Sequence, residues 1–481
     1  MTAPSTTPSG PVRAVKFSRL PKHALLLGLT AAQLAAITAG ALPLIVALYI
    51  GGTAIIFAVP FTVVGVGVAV VPVGGRAVVD WLPVTVAWAW RSLTGQLTFR
   101  ARVDRPRPAG TLALPGRAAA LRRFVDPVTG AALVHDPHAS TLSMSIPVTS
   151  AGFELLDPGD QSRRVTGWGR VLATVCRSGR IKAVQVTQRT LPGSGASLVE
   201  WWNERQAGDS EFASRIYAEL IERAGPTAER HQSVISLALD MQAAGRAIRA
   251  AGGGMTGAAA VLRQEAETLT TALRSADLTP AAPLDPAGLA LWLRTGYDPP
   301  GAPVLEQHAA TGRDLATAGP VAVAESWGAL RSDSSWHAVL WISQWPQTAV
   351  DPGFLAPLLL TSGLQRALTI RYEPLRADVA ARDLRRKKTG HITEAAQRAR
   401  LGQIEDVTQV NEYDDVLTQE AELAAGHGVL RTTGLITVSA PDLDALEHDV
   451  AAIEQAAIQA GCETRRLWGQ QSLALARTLT A

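Results

Sequence analysis

Lysine, charge and sulfur are all scarce in this chain, and each shortage closes off a class of chemistry. The two cysteines, Cys176 and Cys462, lie far apart with no CxxC or Cys/His spacing. That excludes a disulfide framework and supplies no zinc site, so both read as small buried hydrophobes. The only lysines are Lys16, Lys22, Lys182, Lys387 and Lys388. None follows a glycine-rich loop, so the lysine that reaches the β- and γ-phosphates of a bound nucleotide is missing. Gly252-Gly253-Gly254 has no lysine after it and reads as a connector. The GxSxG, HExxH and Cys–His signatures are absent as well. His135-Asp136-Pro137-His138 reads as a loop around a proline, and Trp201-Trp202 as the core and rim of a helix. The expectation is a protein without catalytic residues, cofactor or metal, and so without enzymatic activity.

Charge disappears altogether between His23 and Arg76, 52 consecutive residues, in a chain that is 47% hydrophobic and 18% charged. A helix that crosses a bilayer needs about 20 apolar residues. With Gly51-Gly52 interrupting the block near its middle, the pattern predicts two spans, 30–50 and 53–73, joined as a hairpin. Pro43 and Pro60 fall inside them. The whole-chain charge of +3 divides unevenly: residues 1–100 carry seven Lys/Arg against Asp80 alone, and the rest carries 38 basic against 41 acidic residues. Basic residues flank both ends of the apolar block, which by the positive-inside rule places both termini in the cytoplasm. The body is not basic as a nucleic-acid-binding domain would be, and direct nucleic-acid contact stays open. After the hairpin, Arg76, Trp81, Trp88, Trp90 and Arg91 predict an interfacial helix along the cytoplasmic leaflet.

Five segments result: a disordered basic tail over 1–23, the two-helix hairpin over 24–75, an interfacial helix and linker over 76–110, and cytoplasmic subdomains over 111–300 and 301–481. In the soluble region apolar β-type runs alternate with helical stretches, which predicts an α+β layout. Strands are expected near 133–135, 141–147, 181–188, 233–239, 321–324, 336–343, 368–372, 430–438 and 464–467, with helices over 197–223, 258–275 and 442–460. In the last of these Leu443, Leu446, Val450, Ile453 and Ala457 share one face, Ser439 and Asp442 form a capping box, and Gly461 stops the helix. The runs at 336–343, 352–360 and 368–372, and then 430–438, 442–460 and 464–467, make two β-α-β units, the pattern of a ferredoxin-like split sheet. Between them 376–425 reads as a protruding helical insertion broken near Gly390 or Gly402. Its basic run, Arg385, Arg386, Lys387 and Lys388, is a candidate partner contact.

Residues 17–75, with Leu27-Gly28-Leu29-Thr30, Gln33-Leu34 and the two apolar runs, resemble the PrgI class of inner-membrane conjugation proteins. The soluble region is similar to the amino-terminal, non-motor part of type IV secretion ATPases of the TraC/CagE class. The residues that carry this are Gly152-Phe153-Glu154-Leu155-Leu156-Asp157, Gly434-Leu435-Ile436-Thr437-Val438 and Arg466-Leu467-Trp468-Gly469-Gln470-Gln471. Fused chains of this kind resemble those of actinobacterial integrative conjugative elements. The family's motor domain with its phosphate loop is missing here. The resemblance therefore implies a bacterial cytoplasmic-membrane platform of a type IV-like DNA-transfer apparatus, docking a separately encoded ATPase, other membrane subunits and further copies of itself. A type VII-like secretion subunit and a membrane-bound nucleotide hydrolase remain as alternatives.

Overall fold

Thr30 opens the first helix by a reciprocal cap. Its hydroxyl accepts from the Gln33 backbone N–H at 3.4 Å, and its own N–H donates to the Gln33 side chain at 2.8 Å. Helix α1, Ala31–Ile50, then runs to a turn at Gly51 and Gly52, whose φ angles of 75° and 70° favour glycine. Helix α2, Ala54–Val70, returns alongside. This computed structural model describes residues 30–74, 76–102, 108, 110–150, 152–193, 202–203, 211–224, 229–310, 318–346, 350–401, 416–421, 423 and 428–480. The basic tail over 1–23 lies outside them.

The two helices touch backbone to backbone. A Cβ on Gly40 would sit 2.8 Å from the Gly65 Cα, and one on Gly65 would sit 2.7 Å from the Gly40 Cα. Small residues at such a crossing let helices pack without large side chains between them. Two hydrogen bonds cross the contact: the Thr62 hydroxyl donates to the Gly40 carbonyl at 3.0 Å, and Gln33 Nε2 to the Ala69 carbonyl at 2.8 Å. Among the described helices α1 alone is long and apolar enough to cross a membrane. Helix α2 has 17 residues and stops short of the expected residue 73. Pro72 disfavours the helical conformation at the residue before it, and Val71 is extended, with ψ 121°. The outward side chains of both helices, among them Leu42, Ile45, Phe57, Phe61, Val63 and Val64, are exposed.

A short ribbon, β1 Pro72–Val73 with β2 Arg76–Ala77, leads into helix α3, Val78–Leu93. The remaining strands are β3 Thr98–Arg100, β4 Arg122–Val125, β5 Ala132–Asp136, β6 Thr141–Thr149, β7 Ile181–Pro192, β8 Glu229–Asp240 and β9 Thr279–Pro280. They continue with β10 Ala322–Glu325, β11 Leu330–Ser332, β12 Ser335–Gln344, β13 Gln365–Leu375, β14 Val429–Ala440 and β15 Glu463–Arg466. Among the described residues these make one 13-stranded sheet, in the order β3-β10-β11-β12-β14-β13-β7-β8-β6-β5-β4. Strand β15 lies beside β12, and β9 beside β6. Every pairing in it is antiparallel. The body is thus a mixed helix and antiparallel-sheet region following an apolar amino-terminal helix.

One layout occurs twice in it. In the first half β6, helix α4 Pro158–Ser178, β7, β8, helix α6 Gly254–Arg274 and β9 give the strand order β9-β6-β8-β7. Helix α5, Glu211–Ala224, lies between β7 and β8. In the second half β12, helix α8 Ala356–Leu360, β13, β14, helix α10 Leu443–Gln459 and β15 give β15-β12-β14-β13. The halves join through their corresponding strands β7 and β13, in register from Ala367 against Arg189 to Tyr372 against Val184. This seam draws strands from both sides of residue 300, so the sheet is continuous across the expected subdomain boundary.

The two faces of the sheet read off the alternation of the strands. Ile235 and Leu237 pack with Val171 and Val175 of α4 and with α6. Leu368, Ile436 and Val438 pack with Leu446, Val450 and Ile453 of α10. The opposite face, with Val234 and Val339, is covered by helix α7, Pro286–Tyr297, and helix α11, Gln471–Leu479. At the seam α11 meets a polar row. The Thr478 carbonyl accepts from Gln185 Nε2 at 3.2 Å, from the Thr187 hydroxyl at 3.3 Å and from the Thr369 hydroxyl at 3.4 Å.

Three expectations change. The cap of α10 is Asp442 alone, accepting from the Ala445 N–H at 2.8 Å; Ser439 is in β14, bonded to His337 at 2.8 Å. Helix α9, Ala377–Leu401, runs through Gly390 without a break, while Gly402 lies outside the described residues. The helix expected over 352–360 is confined to α8, since the chain turns before it.

Candidate functional site

Helix α3 presents two working faces. On one, the Trp81 and Trp88 rings pack against Trp327, with centroids 6.2 and 5.4 Å apart. On the same face Arg91 Nη1 donates to Glu325 Oε2 at 2.8 Å, and Arg91 Nη2 donates to the Gly469 carbonyl. The Glu325 side chain is 1% exposed and that of Arg91 25%, so the ion pair is largely shielded from water. On the other face Leu82, Val86, Trp90 and Leu93 recur at four- and three-residue steps and are all exposed, Trp90 at 66%. The five residues expected at a membrane interface therefore separate. Trp90 belongs to the exposed apolar stripe, and Trp81, Trp88 and Arg91 hold the helix to the body. Arg76 lies with its guanidinium 5.6 Å from the Trp341 ring centroid. Burial, with Arg465 adding to it and Asp80 opposing, holds Arg76 below its ordinary pKa.

The basic run on α9 is divided in a similar way. Lys387 sits 3.5 Å from Asp383 one turn earlier, and Lys388 pairs with Glu420 at 2.8 Å. Arg385 and Arg386 are exposed.

A second feature had no forecast. A cavity of about 1110 Å³ opens beside the seam of the two halves, where β6 ends and the outer edge of β8 over residues 229–232 has no partner strand among the described residues. Its apolar walls include Val148, Trp168, Phe354, Leu359, Ile370 and Tyr372. The Trp168 and Tyr372 rings meet edge to face at 6.0 Å. Its charged lining is Arg164, Arg189, Arg230 and His231 against Glu154. Arg189 is 4% exposed. It stacks 3.7 Å from the Trp292 ring centroid and donates to the Trp292 carbonyl at 2.8 Å and to Gln232 Oε1 at 3.0 and 2.8 Å. No carboxylate of the described residues pairs with it, and burial pushes its pKa down to about 9, with Glu306 opposing and Arg230 adding to the shift. Arg230 itself pairs with Glu306 at 2.7 Å.

Sequence reasoning missed Arg189 and Trp292 because single residues on long amphipathic elements carry no motif. The one available signal was an arginine at an inward position of a strand whose other inward polar residues, Gln185 and Thr187, are uncharged. Among the described residues no group of three or more His, Cys, Asp or Glu could hold a metal ion. Cys176 is half-buried and Cys462 buried, both as free thiols, and burial pushes the Cys462 thiol up to about 11. No family model and no curated protein matches the chain.

Proposed function

We propose that this chain is a non-catalytic platform of the bacterial cytoplasmic membrane, belonging to a type IV-like DNA-transfer apparatus, on which a separately encoded ATPase docks. The single observation that carries the membrane part is the pair of faces on α3: an ion pair and indole contacts fix one to the body, and the other offers an apolar stripe beside the exposed hairpin. Leaving that much contiguous apolar surface in water is unfavourable, and a bilayer covers it at no such cost. In this reading both helices of the hairpin enter the bilayer, the short α2 by local thinning of the bilayer, and both termini stay on the cytoplasmic side.

The docking part rests on the family resemblance and on the duplicated strand order, which we read as two ferredoxin-like units sharing one sheet. Their helices α4, α6, α8 and α10 give a broad surface for the ATPase and for neighbouring copies, and Arg385 and Arg386 offer cationic contacts to an acidic partner. Co-purification from detergent-solubilised membranes of the source cell tests the reading. An ATPase retained with the full-length chain, and lost from a chain lacking residues 376–428, is the expected result. A carboxyl-terminal tag labelled from outside intact cells sinks the orientation, and release of the chain by a salt wash sinks the membrane anchor.

A further inference from the structure

A buried guanidinium without a carboxylate is costly in an apolar surrounding unless another anion meets it. Arg189 has five N–H groups, and three hydrogen bonds account for its contacts with Gln232 and Trp292. The remaining donor capacity belongs to a side chain that lines the seam cavity. Arg230 and His231 are exposed at the unpaired edge of β8; Arg230 is paired with Glu306 at 2.7 Å, and His231 Nδ1 lies 3.1 Å from the Thr190 hydroxyl. Glu154, the acidic lining residue, sits against the backbone of Gly353, where a Cβ would meet its Oε1 at 2.5 Å. Away from these charges the lining is mainly aromatic and aliphatic, with Thr149, Ser150, Gln188, Gln232, Ser233 and Thr432 as its uncharged polar members.

We propose that the seam cavity is a binding site for an amphiphilic organic acid, a small molecule whose carboxylate meets Arg189 while its aromatic or aliphatic body lies against Trp168, Phe354, Leu359 and Tyr372. Gln232 holds the Nε/Nη2 edge of the guanidinium and the Trp292 carbonyl takes one Nη1 N–H, which leaves one N–H on Nη1 and one on Nη2 for the carboxylate; stacking on Trp292 holds the group in place before the ligand arrives. At about 1110 Å³ the cavity lies just above the roughly 300–1,000 Å³ usual for ligand pockets and has room for a molecule of this class. The site touches both halves of the sheet, Val148 and Trp168 from the first and Phe354, Leu359 and Ile370 from the second, so an occupant bridges the seam.

The test uses the full chain in lipid nanodiscs and two probes of nearly equal shape, 2-naphthoate and its uncharged counterpart 2-naphthamide, titrated by calorimetry against empty nanodiscs. Naphthoate is expected to bind tenfold or more tightly than the amide, the discrimination of a charge-assisted pair. Arg189→Gln removes that difference. Leu359→Trp, which fills the apolar end and leaves Arg189 alone, weakens both probes together. If Arg189→Gln does not fold, the ratio of the two probes on the unaltered chain and the effect of Leu359→Trp decide. Equal affinity for acid and amide overturns the proposal, as does absence of naphthoate binding at millimolar concentration or unchanged binding in Leu359→Trp.

Discussion

Arg91 and Glu325 provide the sharpest check on how the apolar hairpin is held to the body. The Glu325 carboxylate is almost wholly shielded and has a 2.8 Å contact with Arg91. Changing Arg91 to Met keeps much of the apolar stem but leaves a buried carboxylate unpaired, which costs about 3–5 kcal/mol. It also frees the Gly469 carbonyl, about 1 kcal/mol more. Changing Glu325 to Met instead strands a guanidinium that is a quarter exposed and keeps the Gly469 carbonyl, so the cost is smaller, about 1–3 kcal/mol. The double variant has no stranded charge and recovers most of the loss, giving a coupling of about 2 kcal/mol or more in a double-mutant cycle. Urea unfolding of the detergent-solubilised chain, followed by tryptophan fluorescence, reads all three, since Trp81, Trp88 and Trp327 report from the same junction. Losses below about 1 kcal/mol for both single variants, additive in the double, would place this pair among exposed surface ion pairs and refute the argument.

Three other perturbations have defined outcomes. Gly40→Leu or Gly65→Leu separates α1 from α2, because no Cβ fits at either position; cysteine crosslinking between the helices should fall severalfold, and undiminished crosslinking rejects the close crossing. Gln471→Leu is expected to cost about 1–3 kcal/mol, since Gln471 Oε1 accepts the Val339 N–H at 2.7 Å in the gap between β11 and β15 along β12; an unchanged urea midpoint counts against it. His337 is fully buried, with Nε2 donating to the Tyr297 carbonyl at 2.9 Å and Nδ1 accepting from Ser439. Burial pushes its pKa down to about 4, against the opposing pull of the Tyr297 carbonyl, Asp298 and Asp333. The unfolded chain thus takes up the proton first as pH falls below about 6.5, and stability declines between there and about 4, by about 3 kcal/mol in all. His337→Asn should flatten that part of the profile; an identical slope in the variant excludes His337 as its source.

The fold was legible where the local pattern was strong. The strand expected over 430–438 is β14, Val429–Ala440, and the helix after it begins at the Asp442 cap, because a buried strand and an amphipathic helix each impose their own period. Helix α4 was not legible: its sequence is polar and holds Gly167 and Gly169, so packing of Val171 and Val175 on the sheet stabilises it more than propensity does. Nor could the pairing of β7 with β13 be read, since their contact depends on residues far apart in sequence. The tryptophans of α3 were found as a group, but which face each one occupies was set by Trp327, some 240 positions away in the chain.

The seam itself constrains motion. Proteins built from two units usually hinge at a flexible strap, but here the two copies of the layout are stitched by a ladder running from Ala367 to Tyr372. Threonine hydroxyls from both strands are anchored to one carbonyl of the last helix. Rotation of one unit against the other would tear backbone hydrogen bonds and expose buried hydroxyls at once. The two copies of the layout are therefore coupled through one continuous ladder of strands, from β10 beside the Arg91 ion pair to β4 at the far rim.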